Sequence, residues 1–410
     1  MEILTAFLSI LLTLGFILIF SCSTKALKPQ TKPPSYPLIG SILSFNKNRH
    51  RLLQWYTDLL RLSPSQTVTI DLLLNRRTII TANPENIEHI LKTNFCNFPK
   101  GKPFTDLLGD LLGGGIFNSD GELWSSQRKL ASHEFTMHLV EAFDVAAAIS
   151  ARRATEPVNA VWKLKRFFNV GGERRLKEAI RTVHVSVSKI IRAKKKCLDI
   201  GGDVSDKQDL LSRDTTSAAM TWLFWLLSEN DDVEKKILEE VRDKGSLGLG
   251  FEDLREMSYT KASLCEAMRL YPPVAWDSKH AANDDVLPDG THVKKGDKVT
   301  YFPYGMGRME KVWGQDWDKF KPNRWFDEEP NYGIKPVLKS VSSFKFPVFQ
   351  AGPRVCIGKE MAFMQMKYVV GSVLSRFEII PVCKNPPVFV PLLTAHMAGG
   401  LKVKIKKRKH

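Results

Sequence analysis

The chain has 410 residues, 43% hydrophobic and 25% charged, so it can bury a large core and is not disordered, collagen-like or a coiled coil. Its six cysteines (Cys22, Cys96, Cys197, Cys265, Cys356 and Cys383) show no C-x-x-C pairing, which argues against a disulfide scaffold and against a structural zinc site. The 60 Lys and Arg outnumber 44 acidic residues to give +16, a balance that suits an acidic partner, a membrane surface or nucleic acid without choosing among them.

From Ile3 to Phe20 there is no charge and no proline, a run long enough to cross a hydrocarbon core of about 30 Å. Only Met1 and Glu2 precede it, whereas Lys25, Lys28 and Lys32 follow, so the positive-inside rule leaves the body of the chain cytosolic. A cleaved signal peptide ending near Ser21-Cys22-Ser23 is the alternative. Pro29, Pro33, Pro34 and Pro37 then make a stiff, non-helical spacer. The expected division is an anchor at 1–24, a basic, proline-rich linker at 25–40 and a single domain at 41–410.

Beyond the spacer, Arg49 to Leu62 has helical apolar spacing, Thr67 to Leu74 and Arg76 to Pro84 read as a strand pair, and Pro84 to Thr93 as a short helix. Lys100 to Phe117, rich in glycine and leucine, reads as a loop with an apolar face. Helix returns from Glu122 to Phe135, and again where Leu176, Ile180, Val183, Val187 and Ile190 recur at steps of three and four. The basic run Arg192 to Lys196 suits a solvated helix end better than a nucleic-acid patch. Thr215 to Leu227 is apolar nearly all round, the composition of a helix buried on every side. Helices follow at Val233 to Val241 and Tyr259 to Tyr271, then strands around the turn Leu287-Pro288-Asp289-Gly290, and a last helix from Ile357 to about Ser375.

The chemistry concentrates near the C-terminus. In Phe349-Gln350-Ala351-Gly352-Pro353-Arg354-Val355-Cys356-Ile357-Gly358, two glycines bracket a cysteine at the start of a helix, where free N–H groups favour a thiolate and a thiolate is a metal ligand. The run resembles F-x-x-G-x-R-x-C-x-G, the haem-binding loop of the cytochrome P-450 monooxygenases. The resemblance implies haem b with Cys356 as the axial ligand of its iron, Gly352 and Gly358 letting the backbone pass beneath a flat macrocycle, Arg354 pairing with a propionate, and Phe349 shielding the sulfur. The fold it implies is mainly α with a smaller β region, behind an N-terminal transmembrane helix.

Other segments match the same family. Glu266 and Arg269 form its E-x-x-R pair and Arg324 lies in Phe320-Lys321-Pro322-Asn323-Arg324, like its F-x-P-x-R, which implies a buried structural charge network; alone, an i, i+3 pair would be a surface ion pair. Trp124 and Arg128 match the W-x-x-x-R that holds a propionate, and Lys279 and His280 stand where another propionate partner is often found. On the oxygen side, Asp214 and Thr215 match an acid-Thr-Thr motif and are the implied catalytic pair, Thr215 in oxygen activation and Asp214 in proton relay.

The sequence departs from the family just before that pair, where Leu211 and Ser212 replace a small residue and glycine and Asp203 to Leu210 is polar. A second abrupt junction falls between Thr136 and Leu139, and the domain is expected to be shortened near 136–139 and 211–214. Tyr271 to Gly290 and Phe302 to Met309 resemble the plant fatty-acid ω-hydroxylase and jasmonoyl-amino-acid oxidase branch. That implies hydroxylation of an acyl chain at its terminal carbon with O2. Electrons would come from a separate NADPH-dependent reductase, since the chain has no G-x-G-x-x-G unit. Arg128, Lys129 and Lys359 could offer that reductase a basic face, and Lys25 and Lys28 could meet anionic lipid.

Leu107, Leu108, Leu111, Leu112, Phe117, Val274, Ala275, Leu392, Leu393 and Ala395 could line an apolar channel for a lipid-like substrate, although each of the leucines taken singly reads better as core. The expected setting is the endoplasmic reticulum membrane, single-pass, with the catalytic domain cytosolic and no nucleic-acid partner. Two rival readings stand beside the monooxygenase: a catalytically impaired haem-binding remnant, and a membrane-tethered lipid carrier without haem.

Overall fold

The computed structural model describes residues 32–37, 39–72, 77–106, 114–134, 206–244, 249–327, 337–382 and 386–408, with single positions between 168 and 181. The run Ile3 to Phe20, Lys25 and Lys28, Leu107, Leu108, Leu111 and Leu112, the junction Thr136 to Leu139, the helical apolar positions Leu176, Ile180, Val183, Val187 and Ile190, and Arg192 to Lys196 lie outside the described residues, as do the side chains of Leu211 and Ser212. Among the described residues, no helix is long and apolar enough to cross a membrane.

The first half of the described chain builds a sheet with helices against it. After α1 (Ile42–Asn48) and a 3-10 turn at Arg49–Arg51, α2 (Leu52–Leu62) buries Leu53, Thr57 and Leu60, four and three residues apart on one face. It ends where Ser63 turns extended ahead of Pro64, because the ring of a proline disfavours helix in the residue before it. Strands β1 (Thr67–Asp71) and β2 (Arg77–Thr81) pair antiparallel, with Thr67 opposite Thr81 and their hydroxyls 2.9 Å apart. Pro84 in the first turn and the Asn83 side chain, accepting from the Glu85 N–H at 2.9 Å, start α3 (Pro84–Glu88). That helix runs into a π turn, His89–Thr93.

The helical half follows: α4 (Gly121–Glu134), α5 (Asp206–Ser228), α6 (Asp231–Arg242), α7 (Phe251–Glu256) and α8 (Ser258–Leu270). The chain then returns to the sheet through β3 (Asp277–His280), the hairpin β4 (Asp285–Val286) and β5 (His292–Val293), and β6 (Lys298–Tyr301), so that the strand order is β1-β2-β6-β3. Strands β2 and β6 are parallel, and parallel neighbours need a crossover; here it contains the helical half. The short helices α9 (Pro303–Met306) and α10 (Glu310–Trp313), the long α11 (Lys359–Leu374) and two small ribbons, β7 (Phe377–Pro381) with β10 (Val403–Lys407) and β8 (Phe389–Val390) with β9 (His396–Met397), complete the described fold. The mixture is mainly α with a smaller β region.

Two apolar cores result. One lies between the sheet and α2; the other gathers α5, α6, α8 and α11, and Val312 packs against both. The fully enclosed helix is α8 and not, as composition suggests, the stretch from Thr215 to Leu227. Tyr259 to Leu270 is buried at every position but Lys261, whereas α5 buries Ala218, Ala219, Trp222, Leu223, Leu226 and Leu227 and leaves Met220, Phe224 and Trp225 half-buried. Polar residues hide α8 from a hydropathy reading, yet they are satisfied inside: Ser263 Oγ bonds the Tyr259 carbonyl at 2.9 Å, and Thr260 Oγ1 bonds Glu240 at 2.6 Å. The loop expected from Lys100 to Phe117 includes a helical stretch at 102–106.

Candidate functional site

The loop carrying Cys356 crosses between the two cores. Gly352 has φ +61°, and a Cβ there would stand 1.9 Å from the Leu91 carbonyl oxygen of the π turn, so only glycine lets the loop lie this close. Beyond it the chain folds back, the Cys356 N–H donating to the Phe349 carbonyl at 2.8 Å and the Val355 N–H to Gly352 at 3.1 Å. Phe349 packs on Phe363 of α11 with ring centroids 5.1 Å apart, anchoring the loop in the helical core.

Helix α11 starts at Lys359 with Gly358 as its cap, two residues later than the sequence suggests. The Cys356 thiol is therefore not raised to a thiolate by position alone. Surrounding protein pushes its pKa up, against the Gly358 N–H and the charges of Arg128 and Lys359, although part of the side chain stays exposed.

Arg128 reaches the loop from α4, and Arg354 projects from the loop toward the start of α4. Arg128, on α4, donates from Nη2 to the Val355 carbonyl at 2.7 Å; burial lowers its pKa and Cys356 opposes that. Trp124, one turn earlier, is buried, with the Arg354 guanidinium 4.4 Å from its ring centroid. Arg354 itself donates to Asp120 Oδ1 at 2.6 Å and to the Ser119 carbonyl at 2.9 Å, while its buried Nε has no hydrogen-bond partner. The carboxylate of Asp120 also accepts the Lys100 and Gly101 N–H groups at 3.0 and 2.9 Å. Arg354 thus has a protein counterion that the sequence reading did not foresee.

Behind Arg354 lies a buried cluster of which the sequence singles out only Lys279, as a propionate partner, and not Asp277, Tyr301 or Lys100. Alternation along β3 puts Asp277 and Lys279 on one face, and both are buried. Lys279 Nζ stands 2.7 Å from Asp277 Oδ2, which also accepts from Gln350 Nε2 at 2.8 Å and lies 3.0 Å from the Tyr301 hydroxyl, while Lys100 Nζ is 3.5 Å from Oδ1. Burial alone would raise the Asp277 pKa, but Lys100, Lys279 and the bonds from Lys279 and Gln350 outweigh it and hold the carboxyl well below the usual range. Burial lowers Lys279 to about 8 against the pull of Asp277. His280 points elsewhere, its Nδ1 2.6 Å from the Lys100 carbonyl. The available signal was the D-x-K spacing inside a strand, which only its burial makes informative.

Lys100, Arg128, Lys279 and Arg354 thus stand against two carboxylates, Asp120 and Asp277, which leaves the cluster in positive excess beside an unpartnered buried guanidinium nitrogen. A planar group bearing two carboxylates and a metal that accepts a thiolate fits this donor set. Haem b, with its two propionates, is such a group.

The braces lie on α8. Glu266 and Arg269 are fully buried, bonded twice at 2.8 Å, and Arg324 reaches Glu266 at 2.7 Å. Trp325 Nε1 and the Lys321 N–H complete the carboxylate shell at 2.9 and 3.0 Å. Arg269 goes on to the Gly307, Trp317 and Lys319 carbonyls, and Arg324 to Trp313, Asp316 and its carbonyl. This is a buried network, not a surface pair.

Asp214 and Thr215 sit half-buried on α5, which packs on α8 and α11. Among the channel candidates, Ala275 and Ala395 are core, whereas Leu392, Leu393 and Phe117 are exposed, so the reading of those two leucines as core does not hold. The Ala395 N–H donates to the Pro273 carbonyl at 2.7 Å, tying the segment with Leu392 and Leu393 to the turn before Val274. Lys129 and Lys359 lie near the same loop as Arg128, Lys129 exposed and Lys359 half-buried.

A family model for cytochrome P450 matches residues 29–169 and 209–395. Cytochrome P450 94B1 of Arabidopsis thaliana is 70% identical over 502 aligned positions, covering 100% of this chain and 98% of the relative. Cytochrome P450 94B3 of the same plant is 64% identical, with 98% and 97% covered, and cytochrome P450 94A1 of Vicia sativa is 41% identical, with 92% and 91% covered. An alignment of 502 positions exceeds the 410 residues here, so the remainder are gaps on the side of this chain.

Proposed function

Because the chain belongs to the cytochrome P450 family, and is on that ground a haem-dependent monooxygenase served by a redox partner, we propose that it hydroxylates the terminal carbon of an acyl chain, a fatty acid or a jasmonoyl-amino acid, and that Cys356 would hold the haem iron. The observation that carries the site assignment is the meeting of Cys356, Arg128, Arg354 and Trp124 around one loop that Gly352 alone allows to close. When bound, haem supplies the oxygen-activating redox chemistry.

The chain's own residues do the rest. Arg354 and Arg128, with Lys279 and Lys100 behind, would pair with the two haem carboxylates, and the buried Arg354 Nε, which lacks a protein partner, would donate to one of them. Trp124 covers the Arg354 guanidinium and keeps water from it. Phe349, packed on Phe363, excludes water from the part of the loop next to α11. Glu266, Arg269 and Arg324 hold the segments around the loop to α8. Thr215 and Asp214, on the other side, would hold and pass protons, Thr215 through its Oγ1 and Asp214 through its carboxylate.

For the substrate, exposed Leu392 and Leu393 beside the Pro273 turn offer apolar surface, where each buried CH2 contributes about 0.8 kcal/mol, so chain length is felt but register is held weakly. The electron donor in this reading is an NADPH-dependent reductase docking on Arg128, Lys129 and Lys359. Ile3 to Phe20 anchors the chain once through the endoplasmic reticulum membrane, 25–40 is the linker, and the shortened catalytic domain faces the cytosol. The comparisons favour an active monooxygenase over an impaired remnant, and the haem of the family excludes the haem-free carrier.

The test is direct. Full-length chain, loaded with haem, reduced and treated with CO, should show a strongly red-shifted Soret band that Cys356→Ser abolishes. With reductase, NADPH and O2 it should then convert a fatty acid or a jasmonoyl-amino acid to the terminal alcohol, read by mass spectrometry. A parent that turns over neither substrate class sinks the substrate reading, and a Cys356→Ser variant that keeps the band sinks the ligand.

A further inference from the structure

Gln350 stands in a conformation that its residue type avoids. Its φ is +62° and its ψ −178°, a region essentially reserved for glycine, which another residue occupies only when its surroundings over-determine it. The over-determination is visible in its side chain. The amide Nε2 donates to Asp277 Oδ2 at 2.8 Å, and Oε1 is the partner of the Tyr301 hydroxyl.

The orientation of that amide follows from chemistry. A carboxylate only accepts, so Asp277 must face the NH2 end, and the carbonyl end must then face the phenol. Asp277 is in turn pinned by Lys279 at 2.7 Å, and Tyr301 and Asp277 are opposite each other on paired strands β6 and β3. The anchor is therefore the end of the β6–β3 pair, at one edge of the sheet. Six residues after Gln350 comes Cys356, and the turn between them is rigid: Gly352 lies against the Leu91 carbonyl and the Cys356 N–H returns to Phe349, the residue before Gln350.

We propose that Gln350 is a positioning residue for Cys356: its amide bolts the cysteine loop to Asp277 and Tyr301 of the sheet, and the strain held in its backbone sets where the sulfur stands. The inference rests on the assignment of Cys356 as the ligand to iron. Glycine at 350 would relieve the strain and delete the bolt together, alanine would delete only the bolt, and Tyr301→Phe would remove one of its two contacts.

The experiment compares the haem-loaded, reduced, CO-treated parent with Gln350→Ala, Gln350→Gly and Tyr301→Phe. It measures the rate at which the red-shifted Soret band converts to the unshifted band of a thiol-ligated or displaced sulfur, alongside thermal unfolding. Both Gln350 variants should convert roughly tenfold faster, a factor equal to about 1.4 kcal/mol and typical of a bond to an ion, with Tyr301→Phe in between. Gln350→Gly discriminates: a merely structural role predicts that it performs as well as the parent or better, since its backbone is relaxed. Conversion of Gln350→Gly at the parental rate overturns the proposal. If Gln350→Ala does not fold, Gln350→Gly and Tyr301→Phe carry the same comparison. A parent without the red-shifted band, or a Cys356→Ser variant that retains it, overturns the ligand assignment and this inference with it; a normal parent with an indifferent Gln350→Gly overturns this inference alone.

Discussion

Glu266→Gln changes one buried oxygen to an NH2 group with almost no change in volume, and is expected to destabilise the chain by about 3–5 kcal/mol, the cost of breaking a buried ion pair by removing one partner. Oε1 of Glu266 accepts from Arg269 Nη2, Arg324 Nε and the Lys321 N–H, and Oε2 from Arg269 Nε and Trp325 Nε1. A glutamine must turn its NH2 toward one of these sets. The smaller loss is to face Arg269 Nε and Trp325 Nε1, which leaves two buried donors unmatched at about 1–3 kcal/mol each. Arg324 keeps Asp316 as a counterion at 3.1 Å, whereas Arg269 is left with carbonyl groups only. At about 2.1 cal/mol/K of unfolding entropy per residue, a domain of about 370 residues shifts by about 1.3 °C per kcal/mol, so the midpoint should fall by roughly 5 °C. Thermal unfolding followed by circular dichroism, with haem release followed in the same sample, measures it. The exposed pair Lys102 and Asp106, with side chains 84% and 59% exposed, is the control: Asp106→Asn should leave the midpoint where it was. A Glu266→Gln midpoint within about 2 °C of the parent would refute the reasoning, because it would mean the charge is not needed where the geometry concentrates five donors.

Gly352→Ala should cost the chain its haem, since a Cβ 1.9 Å from the Leu91 oxygen at positive φ forces the loop away from the π turn; haem content of the purified variant reads this, and parental occupancy contradicts it. Lys367 is buried, its Nζ donates to the Leu254 carbonyl at 2.6 Å, and burial with the nearby Lys261 lowers its pKa to about 8. A lysine whose folded pKa is depressed binds fewer protons folded than unfolded between about 8 and 10.4, so stability rises with pH there, and below pH 8 the buried charge is a standing cost. Relative to Lys367→Met, the parent should therefore gain about 2 kcal/mol between pH 7 and pH 9.5 in denaturant titrations, and a difference that stays flat or moves the other way contradicts the assignment. Cys265 is enclosed on α8 with its thiol pushed up to about 12 by burial, while Cys96 is exposed, so peptide-resolved alkylation of the native chain should label Cys96 and spare Cys265 until the chain unfolds.

Short-range features of the fold were legible because they depend on neighbours in the chain. The apolar spacing from Arg49 to Leu62, the Asn83-Pro84 start of α3 and the turn at Leu287 to Gly290 each encode a local geometry, and each element stands close to where its pattern puts it. The motif around Cys356 was equally readable, because glycines and an arginine at fixed offsets along one loop act on the same few ångströms of backbone. The enclosed helix was misplaced for the opposite reason. The polar residues of α8 lower its apparent hydropathy, and what makes them tolerable inside is, besides partners on the helix itself, Glu240, Arg324 and Trp325 from elsewhere in the chain.

Residue types and their order along the chain thus determined the family, the cysteine loop and the span of most helices. Only the folded chain decided that Arg354 already has Asp120, that Asp277 and Lys279 are buried behind it, and that Gln350 is held in strain. Those facts depend on groups 70 to 230 residues apart meeting away from water, where an unpaired charge is costly and the nearest partner, rather than the nearest neighbour in sequence, sets each group's state.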